Sequence, residues 1–159
     1  MLIQHIVIQL ARLSGFSPII VTASLSNEEY LKGLGATHVI DRRAPLTDLP
    51  HVVGEITQKS ISIIYAAVAF PDIQNAAYDL LAPEGTLVIS FYNTIEENKR
   101  VPNKYVADIF GSPFVPDRKH IVTSLYEHVP KLFESGELKV RDKRLRGWMQ
   151  LTLILAGSH

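Results

Sequence analysis

The sequence predicts an α/β fold, a parallel sheet with helices on both faces. Three observations carry that expectation. Short β-branched runs alternate with segments of helical periodicity along the chain, the order that gives parallel strands joined by crossover helices. Several of those runs are apolar at consecutive positions, as strands covered from both sides must be. The composition is globular: of 159 residues, 47% are hydrophobic and 20% charged, which suits one core and argues against disorder.

The elements follow in order. Ile3, Ile6, Val7, Leu10, Ala11 and Leu13 recur at helical spacing, with Gln4, His5, Gln9 and Arg12 between them. Gly15 stops this first helix. Residues 18–23 are dense in β-branched side chains and read as a buried strand. Ser26 and Glu29 have the spacing of a capping box, in which hydroxyl and carboxylate each take the other residue's amide. The helix they open ends near Gly35. Residues 38–41 form a short strand, 42–49 a loop broken by Pro45 and Pro50, and 52–57 a short helix.

Residues 60–68 are the next strand. Asp72, behind Pro71, caps a helix over 73–81, and the turn 82–85 leads into a strand over 86–91. A polar stretch over 93–104 precedes a weaker strand over 105–110. Asp117 caps a long helix over 118–135, closed by Gly136. Pro130 lies inside it and is expected to kink it, at a cost of about 3 kcal/mol if unrelieved. Residues 149–155 are strand-like.

Composition excludes several functions. Cysteine is absent, so there is no disulfide, thiolate chemistry or cysteine-ligated zinc. No apolar run reaches the ~18–20 residues of a membrane span, and Met1 to Ala11 has no signal-peptide pattern. A soluble cytoplasmic protein is expected. Net charge is zero overall, but residues 1–138 carry 11 Lys+Arg against 15 Asp+Glu, and residues 139–159 carry 5 against 1. The body offers no basic face for nucleic acid, and the charged run after Lys139 reads as solvated. The six histidines are scattered, His120 and His128 lie two helical turns apart, and no metal site is expected. Nucleophile-elbow, zinc-protease and phosphate-loop motifs are missing.

Strand–helix–strand alternation places a ligand beyond the carboxyl ends of the strands. The informative stretch follows Val21. An acid at the end of such a strand would bond both hydroxyls of an adenosine ribose. Here Thr22-Ala23-Ser24-Leu25-Ser26-Asn27 offers hydroxyls and an amide, with no acid before Glu28. Hydroxyls suit a 2′-phosphate that an acid would repel, which favours NADPH over NADH. The alternative is that Ser24 and Ser26 only turn the chain and cap the helix.

Residues 4–138 resemble the cofactor-binding domain of the medium-chain dehydrogenase/reductase superfamily, most closely its zinc-independent quinone-reductase and fungal trans-enoyl reductase branch. Five segments carry the resemblance, in family order: residues 8–15, 20–24, 30–41, 64–68 and 81–88. It implies a Rossmann-like sheet, an NADP cofactor, and hydride transfer from NADPH to an activated double bond or carbonyl. It assigns Thr22, Ser24 and Tyr30 to the adenosine 2′-phosphate and Asp41 and Arg42 to the adenine. Ala67 and Val68 fall beside the ribose and diphosphate, and Ser90 and Phe91 near the nicotinamide, with core packing the alternative for Phe91. No catalytic residue is assigned.

Against that family pattern the chain reads as truncated. The family's preceding catalytic domain, first strand and glycine-rich turn have no counterpart before Ile3, and Ala66 stands where an Asp is frequent. Gly33-Leu34-Gly35 lies at a helix end and does not replace that turn. Two regions are therefore expected: a truncated dinucleotide-binding domain over 1–138, and a divergent basic tail over 139–159 with a strand-like end. NADP binding is expected to be weak or lost and the isolated chain inactive. The alternative is an inactive or partner-dependent domain with no cofactor. Expected partners are a dinucleotide and an unspecified small-molecule substrate, with no nucleic acid and no membrane. A homo-oligomer stays open. Without its first strand the sheet would have a central gap. The tail fills it, the flanking strands close up, or the tail stays at an edge or disordered.

Overall fold

A computed structural model describes residues 3–67, 70–90, 92–109, 119–139 and 152–156. Helix α1 spans Ile3–Leu13, as its periodicity predicts, but the stripe it buries differs: His5 and Gln9, expected between the apolar positions, are buried with Ile8 and Ala11, while Leu13 lies outside with Arg12. Gly15 closes it at a left-handed φ of 78°. Strand β1, Ile19–Ala23, leads through a 3-10 turn into α2, Glu28–Leu34. The expected capping box does not form: Asn27 occupies the N-cap without a side-chain bond. The 3-10 turn Leu25–Asn27 takes up the residues that would have formed it. Gly35 follows at φ 123°. A Cβ there would stand 2.7 Å from Arg12 Cδ, so glycine serves both the turn and the approach of α2 to α1.

Strand β2 is His38–Asp41. Helix α3, Leu49–Ile56, starts earlier than expected, with Pro50 in its first turn, where a missing N–H costs nothing. Strand β3 is Ile61–Ala66. Helix α4 is Pro71–Leu80, with Phe70 at its N-cap. Asp72 is thus inside the first turn, where its Oδ1 accepts the Ile73 amide. Strands β4 and β5 are Thr86–Ile89 and Tyr105–Asp108. Helix α5 is Lys119–Glu134, with Pro130 inside; Asp117 lies outside the described residues. Strand β6 is Thr152–Ala156.

The sheet order is β2-β1-β6-β3-β4-β5. Five strands are parallel, and β6 fills the central position antiparallel to both neighbours. The tail therefore occupies the gap. The sheet is mixed where an all-parallel one was expected, and the α/β fold with helices on both faces is as expected. Side chains alternate between the two faces. Ile19, Val21, Leu153 and Leu155 pack under α1 and α2, while Ile20, Ile64, Leu87 and Ile154 pack under α3 and α4. Gln9 ties α1 to the chain that follows α5. Its Oε1 accepts the Lys139 amide at 2.7 Å and its Nε2 donates to the Lys139 carbonyl at 3.1 Å.

Candidate functional site

Parallel pairing brings the ends of four strands to one edge. Ala23 pairs with Asp41, Ala66 with Ile89, and Thr152 stands opposite both Thr22 and Ala66. The edge thus runs from Asp41 and Arg42, past Thr22 to Ser24 and Thr152, to Ala67 and Ser90. Val68 and Phe91, also expected here, lie outside the described residues.

Thr22 Oγ1 accepts the Thr152 amide at 3.2 Å, so the first residue of β6 uses a hydroxyl expected to face phosphate. Ser24 and Ser26 hydroxyls pair at 2.9 Å on the exposed side. That contact gives Ser26 a place beside Ser24 at the edge. Arg42 donates its amide to the Ala23 carbonyl at 2.9 Å, which fixes a cationic residue beside the β1 terminus. The Asp41 carboxylate, at the mouth of the same edge, pairs with Arg43. Its Oδ1 accepts the Arg43 amide at 3.0 Å and Nε at 3.3 Å, and its Oδ2 accepts Nη2 at 3.0 Å. The Arg43 side chain, then its backbone amide, hold the carboxyl below the ordinary range. The negative charge is thereby balanced locally.

Tyr30 sits in the contact between α1 and α2, its ring edge-on to buried His5 with centroids 5.5 Å apart. Ala67 is buried among the residues under α1 and α2. Ser90 donates its amide to the Ala66 carbonyl. Its buried Oγ has no hydrogen-bond partner among the described residues, a group suited to a polar ligand.

A cleft opens between the β1 and β2 termini, the 42–48 loop and α3. Ile40, Leu46, Leu49 and Ile154 form apolar walls, and Thr22, Asp41, Arg42, Asp48 and Thr152 are polar lining. Its cavity volume of about 40 Å³ is a fraction of the roughly 300–1,000 Å³ of a full ligand pocket. The apolar walls and both β6 residues were missed from sequence. The β-branched and leucine positions read only as core, and no local signal placed the tail at this edge.

Buried amides of α4 arrange the chain after β4. Gln74 Nε2 donates to the Tyr92 carbonyl, while its Oε1 accepts the Thr94 amide and hydroxyl. Asn75 Nδ2 donates to the Thr94 carbonyl and its Oδ1 accepts the Glu96 amide. These two residues were also unassigned by sequence. Among the described residues, no group of three His, Asp or Glu side chains is placed to hold a metal, and no helix is long and apolar enough to cross a membrane.

Comparison with known proteins places this geometry. The zinc-binding dehydrogenase family matches residues 3–126, and the chain belongs to it. No curated protein matches. Among solved structures, the CurK enoyl reductase superposes with a TM-score of 0.65 at 20% identity, over 85% of this chain and 41% of that one. A protein assigned as an NADPH:quinone reductase from Bacillus thuringiensis gives 0.66 at 21%, over 91% and 45%. Benzyl alcohol dehydrogenase from Acinetobacter calcoaceticus gives 0.56 at 24%, over 80% and 37%. The chain spans less than half the length of each of these structures.

Proposed function

We propose that the chain is an NADP-type nucleotide-binding domain of the enoyl- and quinone-reductase kind, and that it does not turn over substrate alone. The observation that supports this reading is the adenosine end of the edge. Ser24 and Ser26 offer paired hydroxyls, Arg42 stands beside the β1 terminus, and Asp41 is neutralised by Arg43. That donor set suits a phosphomonoester, because hydroxyls donate to it and a guanidinium pairs with it. The orphaned Ser90 hydroxyl suits a polar group further along. A bound NADPH supplies a hydride; this chain's residues bind and orient its adenosine end.

The central strand does not fit the diphosphate. In a doubly wound sheet that strand runs toward the ligand edge and turns into a helix whose N-terminal amides hold the diphosphate. Here β6 starts at that edge and runs away from it. This observation favours a second reading, a partner-dependent domain that binds no cofactor.

Calorimetric titration with NADPH and NADH tests the first reading. NADPH is expected to bind at least about tenfold more tightly, the difference a charge-assisted phosphate contact makes. Equal or tighter binding of NADH overturns the preference, and no binding by a folded chain supports the second reading. Enone or quinone reduction by the chain alone is expected to be undetectable, since orientation of a substrate accounts for roughly 7–11 kcal/mol of barrier. Turnover at an ordinary rate of about 1–10³ per second overturns that part.

A further inference from the structure

An open groove outside the strand-end cleft has an apolar floor and an acidic rim. It runs between the 46–50 segment and α4, with a volume of about 520 Å³, on the face of the sheet opposite α1. Leu46, Pro50, Pro71 and Ala76 form the floor. Asp72, Asn75, Ala76 and Asp79 line it from one stripe of α4. Thr47 adds a hydroxyl, and the Asn75 amide is already bonded to the Thr94 carbonyl and the Glu96 amide. The rim carries three carboxylates, Asp72, Asp79 and Glu96, against one ammonium, Lys99. Lys99 Nζ lies 3.3 Å from Asp79 and 4.0 Å from Glu96, and Asp72 only accepts the Ile73 amide. One cation among three anions leaves the rim net negative.

The same chain carries the complement. Lys139-Val140-Arg141-Asp142-Lys143-Arg144-Leu145-Arg146 holds five cations and one carboxylate, with two aliphatic residues between them. Residues 1–138 have the opposite balance, 11 Lys+Arg against 15 Asp+Glu. With no net charge on the chain, no overall repulsion keeps copies apart, and opposite local charge draws these two regions together. Both ends of a copy's own run are held away from its groove. Lys139 is bonded to Gln9 of α1, across the sheet, and the chain re-enters the sheet centre at Thr152. We infer that the groove is an interface with a second copy of this chain, occupied by that copy's basic run at 139–146. The carboxylate rim takes its cations, and the floor suits Val140 and Leu145. Two copies that exchange runs form a closed pair with two such contacts. The contact is small and charge-dominated, so the pair is a transient one. This interface is independent of the nucleotide-binding reading.

Sedimentation equilibrium of the full chain tests it. In about 0.02 M salt the average mass is expected to rise with protein concentration, and in about 0.5 M salt, where charges are screened within roughly 4 Å, to fall to that of one chain. The mass of one chain at every concentration in low salt overturns the inference. A pair that persists unchanged in high salt also overturns it, because it is held by something other than these charges. Two sets of reversals locate the contact. Asp79→Lys with Glu96→Lys makes the groove basic, and both side chains are largely exposed. Lys143→Glu, Arg144→Glu and Arg146→Glu together make the run acidic. Each variant alone is expected to associate at least about tenfold more weakly than the unmodified chain. An equimolar mixture of the two is expected to recover the association, since each groove then meets a run of opposite charge. Undiminished association in either variant, with circular dichroism unchanged, overturns the inference. So does a mixture of the folded variants that stays at the mass of one chain.

Discussion

Strands β6 and β5 differ by one residue in length and stand at opposite positions in the same sheet. All five residues of β6 are buried, and it pairs on both sides. Of β5, only Val106 is half-buried, and β5 pairs with β4 alone. The difference shows what each position demands. A central strand must satisfy two ladders and two apolar faces, so Leu153-Ile154-Leu155 carries no polar side chain. An edge strand is covered on one face, so Tyr105 and Asp108 flank a single inward valine. Breaking the two strands should therefore have unequal consequences.

The largest effect is expected from removing β6. Deleting residues 149–159 leaves β1 and β3 facing each other across an empty position with several unpaired backbone groups. Each costs about 1–3 kcal/mol when buried, against a usual domain margin of ~5–15 kcal/mol. Thermal denaturation followed by circular dichroism should show no cooperative transition. A cooperative transition in the deleted chain means that β1 and β3 can close up without it. A milder break, Ile154→Ala, is expected to cost about 2–5 kcal/mol in urea denaturation.

The second effect lies on the route into β5. Gln74 is fully buried, and its amide bonds Tyr92 and Thr94. Gln74→Leu keeps the volume and leaves those groups short of partners, so a loss of about 2 kcal/mol is expected. Hydrogen exchange should rise at residues 92–96 ahead of the rest of the sheet. Uniform exchange across both segments means the amide does not hold the loop locally. Val106→Ala comes next, at about 1 kcal/mol or less, because that side chain is only partly buried. A loss equal to that of Ile154→Ala would show that edge and centre are not energetically distinct.

How far the sequence could be read follows from the same contrast. Alternating strands and helices were legible because each helix keeps a polar stripe and each strand an apolar run. The tail's place was legible as one of three options, since residues 151–155 are apolar on both faces. Its direction was not. A strand buried on both faces presents the same pattern read either way. Ala156 pairs with Ile61, at the amino end of β3. Residue type singled out Ser24 and Arg42, and the fold brings both to the carboxyl end of β1. What residue type could not show are the contacts these side chains make: Asp41 pairs with Arg43, and the Thr22 hydroxyl accepts the Thr152 amide. Those contacts join residues through a turn and through the register of a strand 130 positions away.

The smallest effect separates the two strands by titration. Tyr105, at the start of β5, donates its hydroxyl to Glu84 Oε2 at 2.8 Å. Glu84 stands at a left-handed φ of 63° and gives its amide to the Asn103 carbonyl, so this residue ties the turn before β4 to the approach to β5. The hydrogen bond to Glu84, and then the charge of its carboxylate, raise the Tyr105 pKa above its ordinary value. A proton held more tightly in the folded chain than in the unfolded one stabilises fully below the unfolded pKa, about 10 for tyrosine. That contribution is lost as the pH rises through the raised folded value. Tyr105→Phe is therefore expected to lower the thermal midpoint slightly at pH 8, and the gap from the unmodified chain should close as the pH passes about 10. Strand β6, Thr152–Ala156, contains no titratable side chain, so the deficit of Ile154→Ala should stay constant over the same range. A Tyr105→Phe gap that also stays constant would mean that the bond to Glu84 does not contribute to holding β5 at the edge of the sheet.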